Sequence, residues 1–454
     1  MSRASIIGED LRAIARIGAP LILTNLCSIG VAVADTLMAA TLGATQLAAV
    51  AVGAGVWIAL YLFGLGTIMA LGPTVAQHFG AGRHAEIGND TVQGIWLALL
   101  VSVPIVLAMR TATPLLERIG IDPVVIVLAQ GYLDALSFGV VGAYCYHALK
   151  QMSEGVGRTV PMMVIMALIL PVNVALNFSF MFGHLGSAPL GAVGCGLGNG
   201  IAFWLMFILL ALYTRRSPHY RTFGLGTAPA RPEARALRRL LVLGVPIGTS
   251  LFLQSGLFTT VALLMGALGT VAVAAHQVVL NYSGLVFMVP LGFGMALTVC
   301  VGQAAGRGDW AGARRVGYTG VALCGLLALG FGTITWCAAD FIAGTYADDA
   351  AVAGLAAALF RIAAFLQVGD GVQVAVAFAL RGLKDTRVPL VINALNYWGI
   401  GFGLAWLLGM TAGLGAHGIW VGLSAALCTA GLFLLLRFRW LTHRLGAALT
   451  APAA

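Results

Sequence analysis

The chain has 454 residues, of which 60% are hydrophobic and only 9% are charged. An ordinary soluble domain is about 45–50% apolar and about 25% charged, so this composition excludes a water-soluble globular protein. Glycine is abundant, with 60 residues, while aromatic residues make up 9%, which favours closely packed helices over the aromatic-girdled strands of an outer-membrane barrel. We therefore predict an all-α polytopic membrane protein.

Charges interrupt the apolar sequence at intervals of about 20 residues, the length that a helix needs to cross a bilayer. The pattern predicts twelve transmembrane helices, and the segment before the first one carries no sign of a removable signal peptide. The predicted spans are 14–38, 47–72, 93–113, 124–147, 161–183, 190–213, 240–265, 272–302, 316–338, 352–380, 388–409 and 416–436.

The longest polar insertion, residues 214–239, carries seven arginines and falls between spans six and seven. We predict an N-terminal lobe of six helices at 1–213, a basic cytoplasmic linker at 214–239 and a C-terminal lobe of six helices at 240–454.

The two lobes align without gaps at an offset of 226 residues over their first two spans, which predicts an internal repeat. Since six spans separate the copies, both enter the membrane in the same direction, as in transporters whose site lies near the midplane between two repeats. The aligned residues include Gly18-Ala-Pro20 with Gly244-Val-Pro246, Leu42-Gly43 with Leu268-Gly269, Met69-Ala-Leu71 with Met295-Ala-Leu297, and Gln77, Gly80 and Gly82 with Gln303, Gly306 and Gly308.

The net charge of +9 comes from 25 basic residues. With the predicted spans, only Arg110, Arg118 and Arg361 lie on one side of the membrane and the other 22 lie on the opposite side. This bias marks the basic side as cytoplasmic and puts both termini there. The charge therefore indicates topology rather than a nucleic-acid partner.

Three acidic residues fall inside predicted spans: Asp35 in the first, Asp134 in the fourth and Asp370 in the tenth. A carboxylate at bilayer depth is costly and commonly handles ions, protons or cationic ligands. No basic residue lies in the middle of a span, so the partner must be a proton, a metal cation, an organic cation or neutral donors. Asp134 can also be an ordinary acid near the membrane surface, and the sequence leaves its role open.

Further polar residues can complete such a site. Asn173 and Asn177 lie four residues apart on one face of the fifth span, a spacing that also suits simple helix packing. The second half contributes Gln254, His276, Asn281 and Tyr282, and His276 is either a buried core residue or a participant in proton transfer.

Pro20 lies 15 residues before Asp35 in the first span. A proline inside a helix removes a backbone hydrogen bond and bends the helix. We expect Pro20 to act as a hinge whose bend depends on the charge of Asp35.

The sequence contains no G-x-x-x-x-G-K-[ST] phosphate loop and no H-E-x-x-H motif, and its seven cysteines form no C-x-x-C pair. These observations predict no ATP hydrolysis, no structural metal site and no disulfide framework. We expect a protein without enzymatic activity and without a cofactor.

Several stretches resemble the MATE multidrug and toxic-compound exporters, most closely the NorM branch. They are GAPLILTNLCSIGVAVADTLMAATLGATQLAAVAVG, ALGPTVAQHFGAGR, PVNVALNF, VAVAAHQVVLNYSGLVFMVPLGFGMALTVCVGQAAGRG and DGVQVAVAFALRGLKDTRVP. The resemblance implies a monomeric antiporter in the lipid bilayer of the bacterial inner membrane, which expels cationic, lipophilic drugs in exchange for sodium ions or protons.

The resemblance implies coupling roles for Asp35 and Asp370 and a cavity role for Asn173 and Asn177. The sequence departs from the NorM pattern at one position, because Gln254 occupies a position at which NorM proteins typically carry a glutamate. Glutamine can help to bind a transient sodium ion beside Asp370 but cannot release a proton. The alternative function is that of a lipid-linked oligosaccharide flippase, in which we would expect arginines lining the cavity.

Overall fold

A computed structural model of the protein describes residues 3–184, 188–225 and 231–450. Within these ranges all regular elements are helical and no strand occurs, so the predicted fold class is confirmed. The helices of the first half are α1 (Arg3–Thr41), α2 (Ala44–Ile68), α3 (Leu71–Gly80), α4 (His84–Arg110), α5 (Thr113–Arg118), α6 (Pro123–Ser137), α7 (Val140–Gly155), α8 (Val160–Phe182), α9 (Ala192–Arg216) and α10 (Pro218–Arg221).

The helices of the second half continue in chain order, and two short stretches of the penultimate span are π-helical. They are α11 (Ala234–Ala267), α12 (Thr270–Gly306), α13 (Trp310–Cys337), α14 (Ala339–Tyr346), α15 (Ala350–Gly382), α16 (Arg387–Ala394), the π-helix Leu395–Phe402, α17 (Gly403–Trp406), the π-helix Leu407–Thr411 and α18 (Gly415–Thr450).

In the described part of the chain, eleven helical stretches are long and apolar enough to cross a membrane. The number rises to twelve if α6 and α7, which meet at 48°, form one bent span. The predicted fourth span, 124–147, ends too early, because α7 continues to Gly155. Its last turns carry a buried ion pair between Lys150 and Glu154, whose Nζ and Oε1 atoms lie 3.5 Å apart.

The chain divides by its internal contacts into two compact units. One is continuous, Leu23–Gly248, and the other combines Met1–Ile22 with Thr249–Ala454. We call them the continuous unit and the discontinuous unit. The division differs from the boundaries that follow the repeat, since the first parts of α1 and α11 each belong to the unit formed mainly by the other half of the sequence.

Glycine residues allow these two helix segments to pack closely within the units that they join. In the continuous unit, Gly244 of α11 lies against the backbone of Thr67, so that an added Cβ atom would overlap the Thr67 carbonyl oxygen. In the discontinuous unit, Gly18 of α1 lies against Phe293 and Gly292 lies against Ile22. Glycine at these positions lets helices approach at backbone distance, as is usual between membrane helices.

The linker is shorter than the sequence indicated, because α9 extends to Arg216 and α11 begins at Ala234. The buried side chain of Gln93 holds its end to α4. The Gln93 amide donates to the carbonyl of Arg231 at 3.0 Å and accepts from the backbone N–H of Glu233 at 2.8 Å. One turn earlier on α4, Asp90 accepts a hydrogen bond from Arg239 at 3.1 Å.

Candidate functional site

Asp35 lies in the second half of α1 and is 9% exposed. Two side-chain amides donate to its carboxylate: Asn177 of α8 to Oδ1 at 2.6 Å, and Asn199 of α9 to Oδ2 at 2.8 Å. No ion pair involves Asp35 among the described residues. Both oxygens therefore act as acceptors, as an ionised carboxylate requires.

The amides form a connected network around the carboxylate. Asn173 donates to Asn199 Oδ1 at 2.6 Å, and Asn177 also lies 3.3 Å from Asn173 Oδ1. The structure thus brings together Asp35, Asn173 and Asn177, as the sequence predicted, in the interior of the continuous unit. We call these residues together with Asn199 the Asp35 network.

Asn199 was not identified from the sequence. It lies in GCGLGNG of the sixth span, and Cys195, one turn before it, contacts the same amides at 3.6–3.9 Å. A single asparagine among glycines on an apolar helix was the available signal, because a helix rarely carries an amide there without a partner.

Gly198 sets the position of Asn177. A Cβ atom at residue 198 would overlap Asn177 Oδ1, an atom that is itself buried without a hydrogen-bond partner in the described structure. If Asp35 takes up a proton, one of its oxygens becomes a donor, and this free amide oxygen is a nearby acceptor.

Asp370 lies on α15 within the discontinuous unit and is flanked by two glycines. Gly369 faces Cys428 of α18 and Gly371 faces Ala328 of α13, each too closely to admit a Cβ atom. Two neighbouring helices therefore enclose the carboxyl group. Its Oδ1 atom is buried, and no hydrogen-bond partner for it is found in the described residues.

The other predicted residues of the second half divide into two groups. Gln254 of α11 is half-buried and Asn281 of α12 is exposed, and neither makes a hydrogen bond to Asp370 within the described ranges. Tyr282 joins a small cluster, since Thr335 bonds to the Tyr282 hydroxyl at 3.2 Å and to Gln367 Oε1 at 3.1 Å.

His276 is fully buried against the edge of Trp420, with ring centroids 5.5 Å apart. Neither ring nitrogen of His276, nor Nε1 of Trp420, has a hydrogen-bond partner in the part of the chain that the structure describes. Buried polar groups normally have hydrogen-bond partners. His276 and Trp420 are therefore a place in this unit where buried nitrogen atoms lack hydrogen bonds among the described residues.

Two predicted residues lie apart from these clusters. Asp134 is exposed and accepts a hydrogen bond from Gln130 at 2.8 Å. Pro20 lies inside α1, two residues before the chain passes from the discontinuous to the continuous unit at Ile22.

The structure therefore offers two buried carboxyl groups in different surroundings. The Asp35 carboxylate accepts hydrogen bonds from two amides, whereas Asp370 has one oxygen without a partner in the described part of the chain. A carboxyl group of either kind can bind a proton or a small cation without displacing a fixed basic side chain. Within the described residues, no group of three or more histidine, cysteine or acidic side chains forms a metal centre.

Comparison with known proteins identifies a family over most of the chain. The family model MatE matches residues 20–179 and 246–407, two segments that start 226 residues apart, as the internal repeat does. The chain is 36% identical over 437 residues to the multidrug resistance protein NorM of Aliivibrio fischeri, covering 95% of each chain. It is 37% identical over 450 residues to the multidrug resistance protein MdtK of Yersinia pseudotuberculosis, covering 98% of each.

Solved structures share the fold at lower identity. The eukaryotic MATE transporter AtDTX14 superimposes with a TM-score of 0.87 and 20% identity, over 97% of this chain and 99% of that chain. The Vibrio cholerae MATE transporter VcmN superimposes with a TM-score of 0.87 and 17% identity, over 98% and 99%.

Proposed function

The chain belongs to the MATE family of multi-pass membrane transporters, and from this we propose that it is a secondary multidrug exporter. It exchanges cationic, lipophilic drugs for sodium ions or protons by alternating access. The curated relatives are multidrug resistance proteins that match almost the whole chain, which supports drugs as the class of substrate.

The observation that carries the antiport proposal is the presence of two buried carboxyl groups, Asp35 and Asp370, that form no ion pair with any basic side chain among the described residues. Burial favours the protonated form of a carboxyl group and a nearby cation favours the ionised form. A single group can therefore hold either a proton or a cation, but not both at once. Because the ion and the cationic drug compete in this way, the inward movement of an ion must accompany the outward movement of a drug.

Within this proposal, the residues have different roles. Asp35 and Asp370 bind the coupling ion, and the amides of Asn173 and Asn177 stabilise Asp35 between its two states. Gln254 contributes an oxygen donor near a sodium ion at Asp370. Asn281 and Tyr282 line the drug cavity, whereas His276 is fully buried in this structure and reaches a drug only when the packing around it opens, and Pro20 is the hinge of α1.

The distribution of basic residues supports an orientation with both termini in the cytoplasm, because positive charge accumulates on the cytoplasmic side. We place the protein in the cell inner membrane as a monomer. The predicted lobes, 1–213 and 240–454, are the repeated parts of the transporter.

The test uses the full chain in proteoliposomes with an imposed sodium or proton gradient and a fluorescent organic cation such as ethidium. We expect one gradient to drive ethidium transport, and we expect Asp370→Asn and Asp35→Asn to abolish it because asparagine cannot exchange a proton for a cation. Asp134→Asn serves as the matched control, since Asp134 is exposed and should retain transport.

Gln254→Glu probes the coupling ion. If residue 254 contributes to the ion site as proposed, a carboxylate there adds negative charge and should favour sodium, as cations bind more strongly where charge is added. If neither gradient moves ethidium, and lipid-linked oligosaccharide is translocated instead, the exporter proposal is wrong and the flippase is correct.

A further inference from the structure

A line of polar residues continues from Asp370 along α15. Gln373 and Arg381 lie three and eleven residues further on, a spacing that brings all three side chains to one face of the helix over a length of about 16 Å. Gln373 is 4% exposed and Arg381 is 9% exposed. Polar side chains buried this deeply between apolar helices are costly and need partners.

Tyr397, from a neighbouring element, adds a further polar group to this line. Between Gln373 and Arg381 the same face of α15 carries the apolar residues Val374 and Ala377, and the phenol of Tyr397 comes from the π-helix that follows α16. Its hydroxyl accepts a hydrogen bond from Gln373 Nε2 at 2.9 Å. Tyr397 is fully buried, and its contact with Gln373 places it about one helical turn from Asp370 along α15. In the described structure its hydroxyl makes no hydrogen bond to Asp370, whose Oδ1 atom has no partner.

The position of Tyr397 is fixed from a second side. Asn393, one turn before it, accepts from Gln373 at 3.4 Å and donates to Ser250 Oγ of α11 at 2.9 Å. The π-helix begins at Leu395, and π-helical turns are frequent at functional sites because they redirect one side chain out of the helical register.

The hydrogen bonds around Tyr397 leave its own proton uncommitted. Because the hydroxyl accepts from Gln373, its O–H group is directed away from that amide. Asp370 Oδ1 is a buried acceptor without a partner, and Arg381 Nη1 is a buried donor without one, in the described structure. A guanidinium beside a phenol polarises its O–H bond and makes it a stronger hydrogen-bond donor.

From this geometry we infer that Tyr397 is a positioning residue for ion exchange at Asp370. Its hydroxyl donates to the carboxylate when Asp370 is ionised and is released when Asp370 takes up its coupling ion. Gln373 orients the phenol and Arg381 strengthens it as a donor. This inference rests on the proposed antiport. It adds a group, the Tyr397 hydroxyl, that competes with the coupling ion for Asp370 and so keeps the bound ion exchangeable.

Besides the phenol of Tyr397, the described neighbours of Asp370 include Gln373 on the same helix and Cys428 of α18, which contacts Gly369, while the charged Arg381 lies about three turns further along α15. The Gln373 amide donates to Tyr397 and Asn393 and a thiol is a weak donor, so the phenol is the group best able to stabilise the ionised carboxylate. A hydrogen bond to the charged form of an acid favours that form.

Tyr397→Phe in the full-length protein tests the inference in proteoliposomes. Loss of the competing hydrogen bond should let Asp370 hold its ion more tightly. The ion concentration for half-maximal ethidium transport should therefore fall about tenfold, which for protons is an upward shift of the pH profile by about one unit. Tyr144→Phe is the matched control, since Tyr144 is fully buried in the other unit and should leave the profile unchanged.

Gln373→Met provides a second variant in case Tyr397→Phe does not fold. It leaves the phenol in place but removes the amide that orients it, so the half-saturating ion concentration should fall in the same direction by a smaller factor. An unchanged half-saturating ion concentration in the folded variants would overturn the inference. A rise would also overturn it, because it would mean that the Tyr397 hydroxyl is a ligand of the ion rather than its competitor. Failure of the proposed function is recognised separately, by wild-type protein that neither gradient drives or that Asp370→Asn does not impair.

Discussion

Asp35 and the three asparagines around it illustrate how much of a site single residues reveal. Asp35, Asn173 and Asn177 were predictable because charged and amide side chains are conspicuous at bilayer depth. Asn199 was not, since an isolated amide on a glycine-rich helix is equally typical of helix packing. Which amides meet depends on how α1, α8 and α9 pack, and that information is absent from the sequence pattern.

The glycines of α9 allow a sharp test of the Asp35 network. Gly198→Ala puts a methyl group on Asn177 Oδ1, whereas Gly200→Ala meets its neighbours at ordinary contact distances of 3.4–3.7 Å. Overpacking of this kind costs about 1–3 kcal/mol, so Gly198→Ala should displace Asn177 and lower transport about tenfold. Initial rates of ethidium transport check this expectation, and equal rates in both variants would show that Asn177 need not hold this position.

The burial of Lys150, Glu154 and Arg381 was not predictable from the sequence. They lie just beyond the apolar windows of 124–147 and 352–380, where a charge is ordinarily a solvated helix end. In the structure they are 4–9% exposed, because the ends of α7 and α15 are covered by neighbouring helices. Hydropathy measures the composition of a segment and carries no information about what covers its ends.

At the scale of the elements, α1 combines a proline and an acid on one continuous helix from Arg3 to Thr41. Pro20 lacks the N–H group that would bond to residue 16, so this turn is weaker than its neighbours. Replacement by alanine supplies the missing N–H group and stiffens this turn.

We expect Pro20→Ala to insert normally in the membrane and to lower the turnover of transport several-fold, since a stiffer α1 responds less to the charge of Asp35. Turnover in proteoliposomes and the amount of protein in the membrane are the two measurements. Pro104→Ala, at a proline inside α4, is the control, and full activity of Pro20→Ala would exclude a hinge at this turn.

The helices themselves were predicted well where they are long and uniformly apolar. The structure joins the predicted spans with loops near the expected places, but it bends the fourth span into α6 and α7 and introduces π-helical turns after α16. Neither feature has a hydropathy signature, because both arise from packing against neighbouring helices rather than from the apolar content of the segment.

At the scale of the whole molecule, the repeat of 226 residues was readable from aligned glycines and prolines. The division into units was not, since nothing in an apolar sequence specifies which unit the start of a helix joins. Met1–Ile22 packs with Thr249–Ala454, as Asp10 shows by its ion pair with Arg315 at 2.8 Å. Conversely, the first part of α11 belongs to the continuous unit, where Arg239 bonds to Asp90.

A chain cut within the linker therefore yields two fragments, neither of which contains a complete unit. We expect fragments 1–225 and 231–454 to be degraded when expressed alone and to accumulate as a stable, transport-competent pair when expressed together. Fragments cut at 248 provide the comparison, since 1–248 contains the whole continuous unit and should accumulate by itself. Quantitative immunoblotting of membranes measures each outcome, and equal accumulation of 1–225 and 1–248 would contradict the expectation.

The same exchange of helix segments has a consequence for biosynthesis. The ribosome makes the Met1–Ile22 segment before the continuous unit, but its packing partners begin only at residue 249, after that unit has been made. The segment is thus made before the continuous unit and reaches its final neighbours after it. During that interval only the second half of α1 has its packing partners, and any factor that assists the insertion of this protein must keep the first half available until the helices after residue 249 have been made.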